Sequence, residues 1–152
     1  MDVPCQIRLA AASDVPAIAG IERAVFSDPW PQSAFLELLG ESSWIAEADA
    51  GLVGYLFARA AADEAEILNL AVREDHRRRG IGRCLLETAL GDFWRVGVRT
   101  VYLEVRESNE AGQTFYQALG FREVGRRRSY YQKPCEDALI LARGTGPLRG
   151  PA

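Results

Sequence analysis

The amino-acid sequence predicts a mixed α/β fold, one central sheet flanked by helices, and three observations carry that prediction. Three apolar runs of strand length, Trp44 to Ala48, Leu52 to Ala60 and Ala65 to Val72, follow one another closely, as antiparallel strands do. After residue 72, strand-like and helix-like periods alternate, which calls for a parallel crossover. The 152 residues are 48% hydrophobic and 26% charged, the balance of a soluble globular protein. A domain of this size buries ~70% of the surface its unfolded chain exposes and needs no covalent staples. No repeat or Ser/Gly-rich linker divides the chain, so residues 1–143 read as a single domain. Residues 144–152, dense in Gly and Pro, read as a frayed tail.

Each element has its own local cause. Gln6 to Leu9 is a short strand. Ser13 is an N-cap candidate for a helix reaching Phe26, with Val15, Ile18, Ile21 and Val25 on one face. Ser27-Asp28-Pro29-Trp30-Pro31 breaks that helix, and a second short one carries Phe35, Leu36 and Leu39. Asp49-Ala50-Gly51 is a hairpin-type turn between the first two of the three strands. Beyond Val72 an Arg/Gly-rich turn leads into a helix from about Gly82 to Trp94, carrying Leu85, Leu86, Ala89, Leu90 and Phe93. Thr100 to Val105 is a strand, Asn109 to Leu119 a helix, and Gly120 its stop. Phe121 to Val124 begins another strand, and Ala138 to Ala142 forms the last.

Composition excludes several kinds of function. Eighteen Lys+Arg against 21 Asp+Glu leaves a net charge of -3, so no broad nucleic-acid-coating surface is expected. Lys133 is the sole lysine, and the arginine excess reads as compositional bias. No apolar run approaches the ~20 residues that span a bilayer. Met1-Asp2-Val3-Pro4-Cys5 lacks the basic start and apolar core of a secretory signal. Cys5, Cys84 and Cys135 are odd in number and widely spaced, as reduced thiols in a cytoplasm would be. His76 is the only histidine and has no partner visible in the sequence; it reads as an exposed turn residue. No metal site and no Ser-His-Asp or Cys-His pairing is expected from so little histidine.

The most informative segment runs Leu68-Asn69-Leu70-Ala71-Val72-Arg73-Glu74-Asp75-His76-Arg77-Arg78-Arg79-Gly80-Ile81-Gly82-Arg83. A buried strand enters a tight turn with two glycines, and a helix opens directly behind. Gly80 and Gly82 lack a Cβ, so the backbone can bend sharply and approach a ligand. Free N–H groups at the helix start, at the positive end of its dipole, favour phosphate oxygens. Arg77, Arg78, Arg79 and Arg83 add charge around them. No Gly-Lys-Ser/Thr follows, so the turn is not a P-loop, and Leu85 stands where a third dinucleotide-binding glycine belongs. A strand-to-helix turn whose arginines merely face water stays open, as does an RNA-binding patch joining this run to Arg126-Arg127-Arg128.

Val72 followed by Arg77-Arg78-Arg79-Gly80-Ile81-Gly82 resembles the acetyl-CoA motif (Arg/Gln-x-x-Gly-x-Gly/Ala) of the GCN-five-related N-acetyltransferases. Leu103-Glu104-Val105-Arg106-Glu107-Ser108-Asn109, leading to Phe115-Tyr116-Gln117-Ala118-Leu119-Gly120-Phe121, is similar to the second half of that family. Phe26-Ser27-Asp28-Pro29-Trp30, Leu68 to Val72, Tyr130-Tyr131 and Glu136-Asp137-Ala138 resemble the hallmarks of its RimI-type branch, which acetylates ribosomal-protein N-termini. The resemblance covers roughly residues 6–143 in unbroken order.

The resemblance implies an acyl-CoA N-acyltransferase fold in which two parallel strands, here Leu68–Val72 and Thr100–Val105, splay around the pantetheine arm of acetyl-CoA. It implies cofactor contacts from Asn69, Leu70, Ala71 and Val72, and a pyrophosphate on the backbone of Arg77, Arg78, Arg79, Gly80, Ile81 and Gly82. Asn109 is an N-cap by position and a CoA contact by resemblance. The acceptor implied is the N-terminal α-amine of a small-subunit ribosomal protein that begins with alanine. No metal, membrane or direct nucleic-acid partner is implied.

Strand alternation puts Val101, Leu103 and Val105 on one face and Tyr102, Glu104 and Arg106 on the other. Glu104 therefore interrupts an otherwise buryable strand. It is either an ion-pair partner of Arg106 or of a neighbouring strand's arginine, or, as the resemblance implies, the general base. Tyr116 is either a core aromatic packed with Phe115 and Phe121 or, by resemblance, the acid that protonates the leaving thiolate, with Phe115 turned inward. Trp30 either plugs the core under the first two helices or, with Tyr130-Tyr131, walls the groove a peptide N-terminus enters. Asp63, Glu64 and Glu66 are either a solvated charged hairpin or an attractant for a basic peptide. Two other functions stay in view: the same fold acting on a small amine or an internal lysine, and a non-catalytic CoA- or RNA-binding module.

Overall fold

The computed structural model describes residues 5–40, 42–49, 51–132 and 135–146. Ala50 of the expected hairpin turn and most of the expected tail lie outside the described residues. Among the described residues seven strands and four α-helices follow in the order β1 (Gln6–Leu9), α1 (Val15–Val25), α2 (Gln32–Leu38), β2 (Ser43–Ala48), β3 (Gly51–Ala61), β4 (Glu64–Val72), α3 (Ile81–Arg95), β5 (Thr100–Arg106), α4 (Glu110–Ala118), β6 (Arg122–Gln132) and β7 (Cys135–Gly144). The strands form one mixed sheet in the order β1-β2-β3-β4-β5-β7-β6. The chain falls into two compact units, Met1–Arg59 with Leu68–Ala89 and Ala60–Ile67 with Leu90–Ala152, and β4 contributes one half to each.

In the first unit β1 pairs antiparallel with β2, and β2 with β3. Its core joins Val15, Ile18 and Ile21 of α1 and Phe35 of α2 to Ile45, Tyr55, Phe57 and Ala71 of the strands. The aromatic rings meet edge to face, with Phe35 5.1 Å from Phe57 and 5.7 Å from Tyr55, the arrangement ring quadrupoles favour. Gly54 of β3 keeps this unit tight. A Cβ there would lie 3.0 Å from the carbonyl oxygen of Ala71 and 3.3 Å from Leu85. The helix after the first strand starts differently from expectation. Ser13 sits inside a 3-10 turn, Ala12–Asp14, and the helix follows at Val15. Asp14 rather than Ser13 is the polar anchor: it accepts the Ala11 N–H at 2.8 Å and takes both guanidinium nitrogens of Arg8 at 2.8 Å. Of the apolar residues expected in α2, Phe35 is buried and Leu36 is exposed.

In the second unit β4 pairs parallel with β5, from Glu64↔Thr100 to Ile67↔Leu103. β5 pairs antiparallel with β7 along its whole length, and β7 with β6. Burial along β5 alternates strictly, with Val101, Leu103 and Val105 buried and Tyr102, Glu104 and Arg106 half-buried, as the sequence predicts. α4 ends at a glycine of positive φ (Gly120, +92°), where the Phe121 N–H closes back on the Tyr116 carbonyl at 3.0 Å. β6 opens within the segment Phe121 to Val124, where a strand is expected to begin, and runs on for 11 residues to Gln132. It is an edge strand exposed along nearly its entire length, so no apolar alternation marks it.

Candidate active site

The first unit presents the Gly-rich turn. β4 ends where the Arg73 N–H bonds the Val53 carbonyl at 2.7 Å, and a 3-10 turn, Glu74–His76, follows. Arg78 and Gly80 both adopt positive φ, +64° and +79°. The second reversal needs no side chain, and the first holds an arginine in a conformation L-residues rarely adopt. Gly82, expected to share in the bend, is instead the second residue of α3. The Gly80 carbonyl takes the Cys84 N–H at 3.0 Å, so the helix opens immediately after the turn. The first N–H groups of any helix have no intrahelical acceptor, so those of Ile81 and Gly82 can receive an anion. Arg77, Arg78 and Arg79 are exposed around them, while Arg83 is paired with Glu87 at 2.5 Å one turn on. His76 is not an open turn residue: its side chain is only 12% exposed, and Nδ1 lies 2.8 Å from Asp75.

Along β4, Asn69 and Ala71 face the buried side, and Leu70 and Val72 are half-buried on the other. The Asn69 side chain is committed inward, donating at 2.7 Å to Glu22. Any part Asn69 takes in holding a ligand therefore falls to its backbone. Trp30 packs on Phe35 at 5.3 Å, half-buried against the same core, and its backbone N–H donates to Glu22 at 2.9 Å. Of the two readings of Trp30, the core plug is the one its contacts support.

The second unit gathers the titratable groups. Glu104 projects from the polar face of β5 with a side chain 13% exposed, 2.6 Å from Nε of Arg127. Of the ion-pair partners that the sequence leaves open, an arginine of another strand is the one found at this distance; the Arg106 guanidinium pairs with Glu136 at 3.1 Å and lies 4.2 Å from the Tyr131 ring centre. Arg127 likewise lies 5.5 Å from the ring centre of Tyr130. The two tyrosines, edge to face at 5.2 Å, thus stand beside the cations that flank Glu104 along the sheet. Burial, followed by the negative charge of Glu104, pushes the Tyr131 hydroxyl up to about 12 and raises that of Tyr130.

Tyr116 sits on α4 with its ring 5.1 Å from Phe115 and 5.6 Å from Phe121. Phe115 and Tyr116 are both half-buried, so burial does not divide them into one inward and one outward aromatic. Helix α4 is half-exposed here, and the ring that reaches the fully buried Phe121 is that of the tyrosine. Burial above all, and then Tyr131, raises the Tyr116 hydroxyl, so it stays a proton donor well into the alkaline range. Asn109 caps α4, its side chain accepting the Gly112 N–H at 2.9 Å. Glu136 fixes the turn before it, accepting the N–H and hydroxyl of Ser108 at 2.9 and 3.0 Å. Among the described residues no group of three or more His, Cys, Asp or Glu is placed to hold a metal ion, and no helix is long and apolar enough to cross a membrane.

The first unit thus carries a strand-turn-helix whose first N–H groups are open to an anion, and the second a largely covered carboxylate on a strand. Residues 15–121 match the acetyltransferase (GNAT) family, and the chain belongs to it as an acetyl-CoA-dependent N-acetyltransferase. Within that family it is similar to the [ribosomal protein bS18]-alanine N-acetyltransferase of Salmonella typhimurium, at 37% identity over 90% of this chain and 95% of the relative. It is 38% identical to the N-alpha-acetyltransferase RimI of Mycobacterium tuberculosis, with 94% of each covered. The crystal structure of the ribosomal-protein-S18-alanine N-acetyltransferase from Escherichia coli superposes with a TM-score of 0.86, at 33% identity over 94% of this chain and 95% of that one. The matched region runs through elements of both units.

Proposed function

We propose that this protein transfers the acetyl group of acetyl-CoA to the N-terminal α-amine of a protein, the alanine N-terminus of a small-subunit ribosomal protein being its principal substrate. Similarity to relatives with that activity supports the acceptor, and the observation that carries the chemistry is Glu104. It is the one carboxylate on the polar face of β5, largely covered and 2.6 Å from Arg127, whose guanidinium lies 5.5 Å from the Tyr130 ring centre. Residues 1–143 act as a single catalytic domain in the cytoplasm, and no nucleic acid takes part.

Glu104 is the general base in this reading. An α-amine has an ordinary pKa of ~8, so a modest base, directly or through one water, suffices to take its proton. The amine nitrogen bonds to the thioester carbonyl carbon, the carbon–sulfur bond breaks, and Tyr116 returns a proton to the departing thiolate. Its raised hydroxyl suits a donor that must remain protonated until that moment. The backbone of Leu70, Ala71 and Val72, with Asn69 before them, orients the thioester arm, and an N–H aimed at the developing oxyanion is worth ~3 kcal/mol. Arg77, Arg78, Arg79, Gly80, Ile81 and Gly82 hold the pyrophosphate, and Asn109 adds a contact from the start of α4.

Release of free CoA thiol tests the reading. A peptide opening with a free alanine should release thiol from acetyl-CoA, and its N-terminally blocked twin should not. Equal release from both, or from neither, would contradict it.

A further inference from the structure

Glu22 is a glutamate with only 1% of its surface exposed, held inside the apolar core of the first unit. Its two carboxylate oxygens accept from three donors that arrive from three different segments. Oε1 takes the Tyr55 hydroxyl of β3 at 2.6 Å and the Asn69 side-chain N–H of β4 at 2.7 Å. Oε2 takes the backbone N–H of Trp30 at 2.9 Å. A core position that needed only volume would be filled by leucine or methionine, since a buried carboxylate is costly unless every lone pair is used. The identity of the three donors suggests what it is used for. One is next to Leu70, the start of the backbone stretch assigned to the thioester. Another is the main chain of the loop between α1 and α2, whose Phe26 stands exposed to solvent and whose Trp30 is half-buried.

We propose that the Phe26–Pro31 loop, which carries the exposed Phe26, meets the acceptor, and that Glu22 is a positioning residue tying this loop to β4, so that the loop and the strand assigned to the acetyl donor keep a fixed relation. This rests on the function proposed above. The carboxylate is suited to the task because it only accepts. Tyr55 is kept a donor by its burial and by Glu22 itself, which raise its hydroxyl far above the usual tyrosine range. A side chain that presented a donor to any of the three would release one segment. β4 is also held by its ladders with β3 and β5, and Phe35 anchors α2; in the loop, the Trp30 N–H is the group that Glu22 holds.

The test is Glu22→Gln, the same shape with one acceptor oxygen exchanged for a donor. Hydrogen exchange of the peptide containing Trp30 should quicken by about tenfold or more while β3 and β4 stay protected, because only the loop loses its acceptor. The acceptor-peptide KM should rise about fivefold or more with kcat within about threefold and acetyl-CoA affinity unchanged, the signature of a lost binding-geometry contact. Tyr55→Phe, which leaves Oε2 and Trp30 alone, should leave both readouts at the wild-type value. Should the glutamine variant not fold, Glu22→Asp, which draws the carboxylate back by one methylene, carries the same two readouts. Unchanged exchange at Trp30 overturns the proposal. So does quicker exchange with an unchanged acceptor KM, or an equal loss for both substrates, which is what a purely structural glutamate would give. Wild-type protein inert toward the free-amine peptide would overturn the proposed function and this role with it. An active wild type matched by Glu22→Gln overturns this role alone.

Discussion

Nε of Arg127 lies 2.6 Å from Oε1 of Glu104, so the carboxylate assigned as the base rests on a cation of its own chain in the free protein. The two partners differ in how firmly they are held, with side chains 13% exposed for Glu104 and 55% for Arg127. The arginine is therefore the one that can yield, and an arriving ammonium group competes with it. Exposed pairs are worth ~0–1 kcal/mol, so Arg127→Ala should lower the acceptor KM by up to about fivefold with little change in kcat. Glu104→Gln should instead cut kcat by ~10²-fold while acetyl-CoA still binds, as the loss of a general base does. Steady-state kinetics with the acceptor varied separates the two. A fall in kcat for Arg127→Ala as large as for Glu104→Gln would mean that the pair itself, rather than the carboxylate, is the working element.

Tyr116→Phe keeps the ring contacts with Phe115 and Phe121 and removes only the hydroxyl. Stability should change by less than ~0.5 kcal/mol, and kcat should fall by ~10²-fold. The pH profile adds an independent check. A hydroxyl raised above its ordinary value of 10 keeps its proton as pH rises, so the wild-type rate should not decline up to about pH 9.5 through loss of this acid. A sharp alkaline fall below that, absent from Tyr116→Phe, would contradict the assignment.

Gly80 has a φ of +79°, where a Cβ is strained. Gly80→Ala should destabilise the fold by ~1 kcal/mol and distort the turn that presents the Ile81 and Gly82 N–H groups. Acetyl-CoA affinity, measured by calorimetry, should fall by about tenfold or more, since those groups are the ones proposed to receive the phosphates. Unaltered affinity in a folded variant would remove the turn from the binding site.

Asp14 links acid stability to the first strand. Hydrogen bonds from Arg8 above all, aided by the Ala11 N–H, hold its carboxyl below the ordinary value of 3.8. A depressed folded pKa contributes stability that is present above the unfolded value and lost as pH falls through the folded one. Arg8 is 42% exposed, so solvent screens the pair and the contribution is ~1 kcal/mol rather than more. Urea unfolding should show Asp14→Asn weaker than wild type near pH 7 and equal to it near pH 2. A difference that survives in acid would trace to packing instead.

The sheet and helices were largely legible because apolar period and turn residues are local signals. The second helix, the β5 face and the Gly120 stop all follow from residues within a few positions of each other. What escaped depends on distant partners. Glu22 falls on the same helical stripe as Val15 and Ile18, yet its charge gives it the look of a surface residue. Its burial is set by Trp30, Tyr55 and Asn69, 8, 33 and 47 residues away. The extent of β6 was hidden because an exposed edge strand needs no apolar face, and Arg126-Arg127-Arg128 carries only the mark of a basic patch. The partner of Glu104 was equally hidden. Arg127 lies on β6, two strands from β5 in the sheet, and only the strand order brings them together. Strain at Arg78, with a φ of +64°, has no sequence signal, since arginine is not a residue that favours it.

The most direct measurement is mass-spectrometric localisation of the acetyl group after incubation with acetyl-CoA and two peptides. One opens with free Ala-Arg and has no lysine; its twin has a blocked N-terminus and an internal lysine. The account predicts acetyl on the free α-amine alone, and none from Glu104→Gln in the same time. Acetyl on the lysine alone would contradict it and assign the chain to side-chain amines.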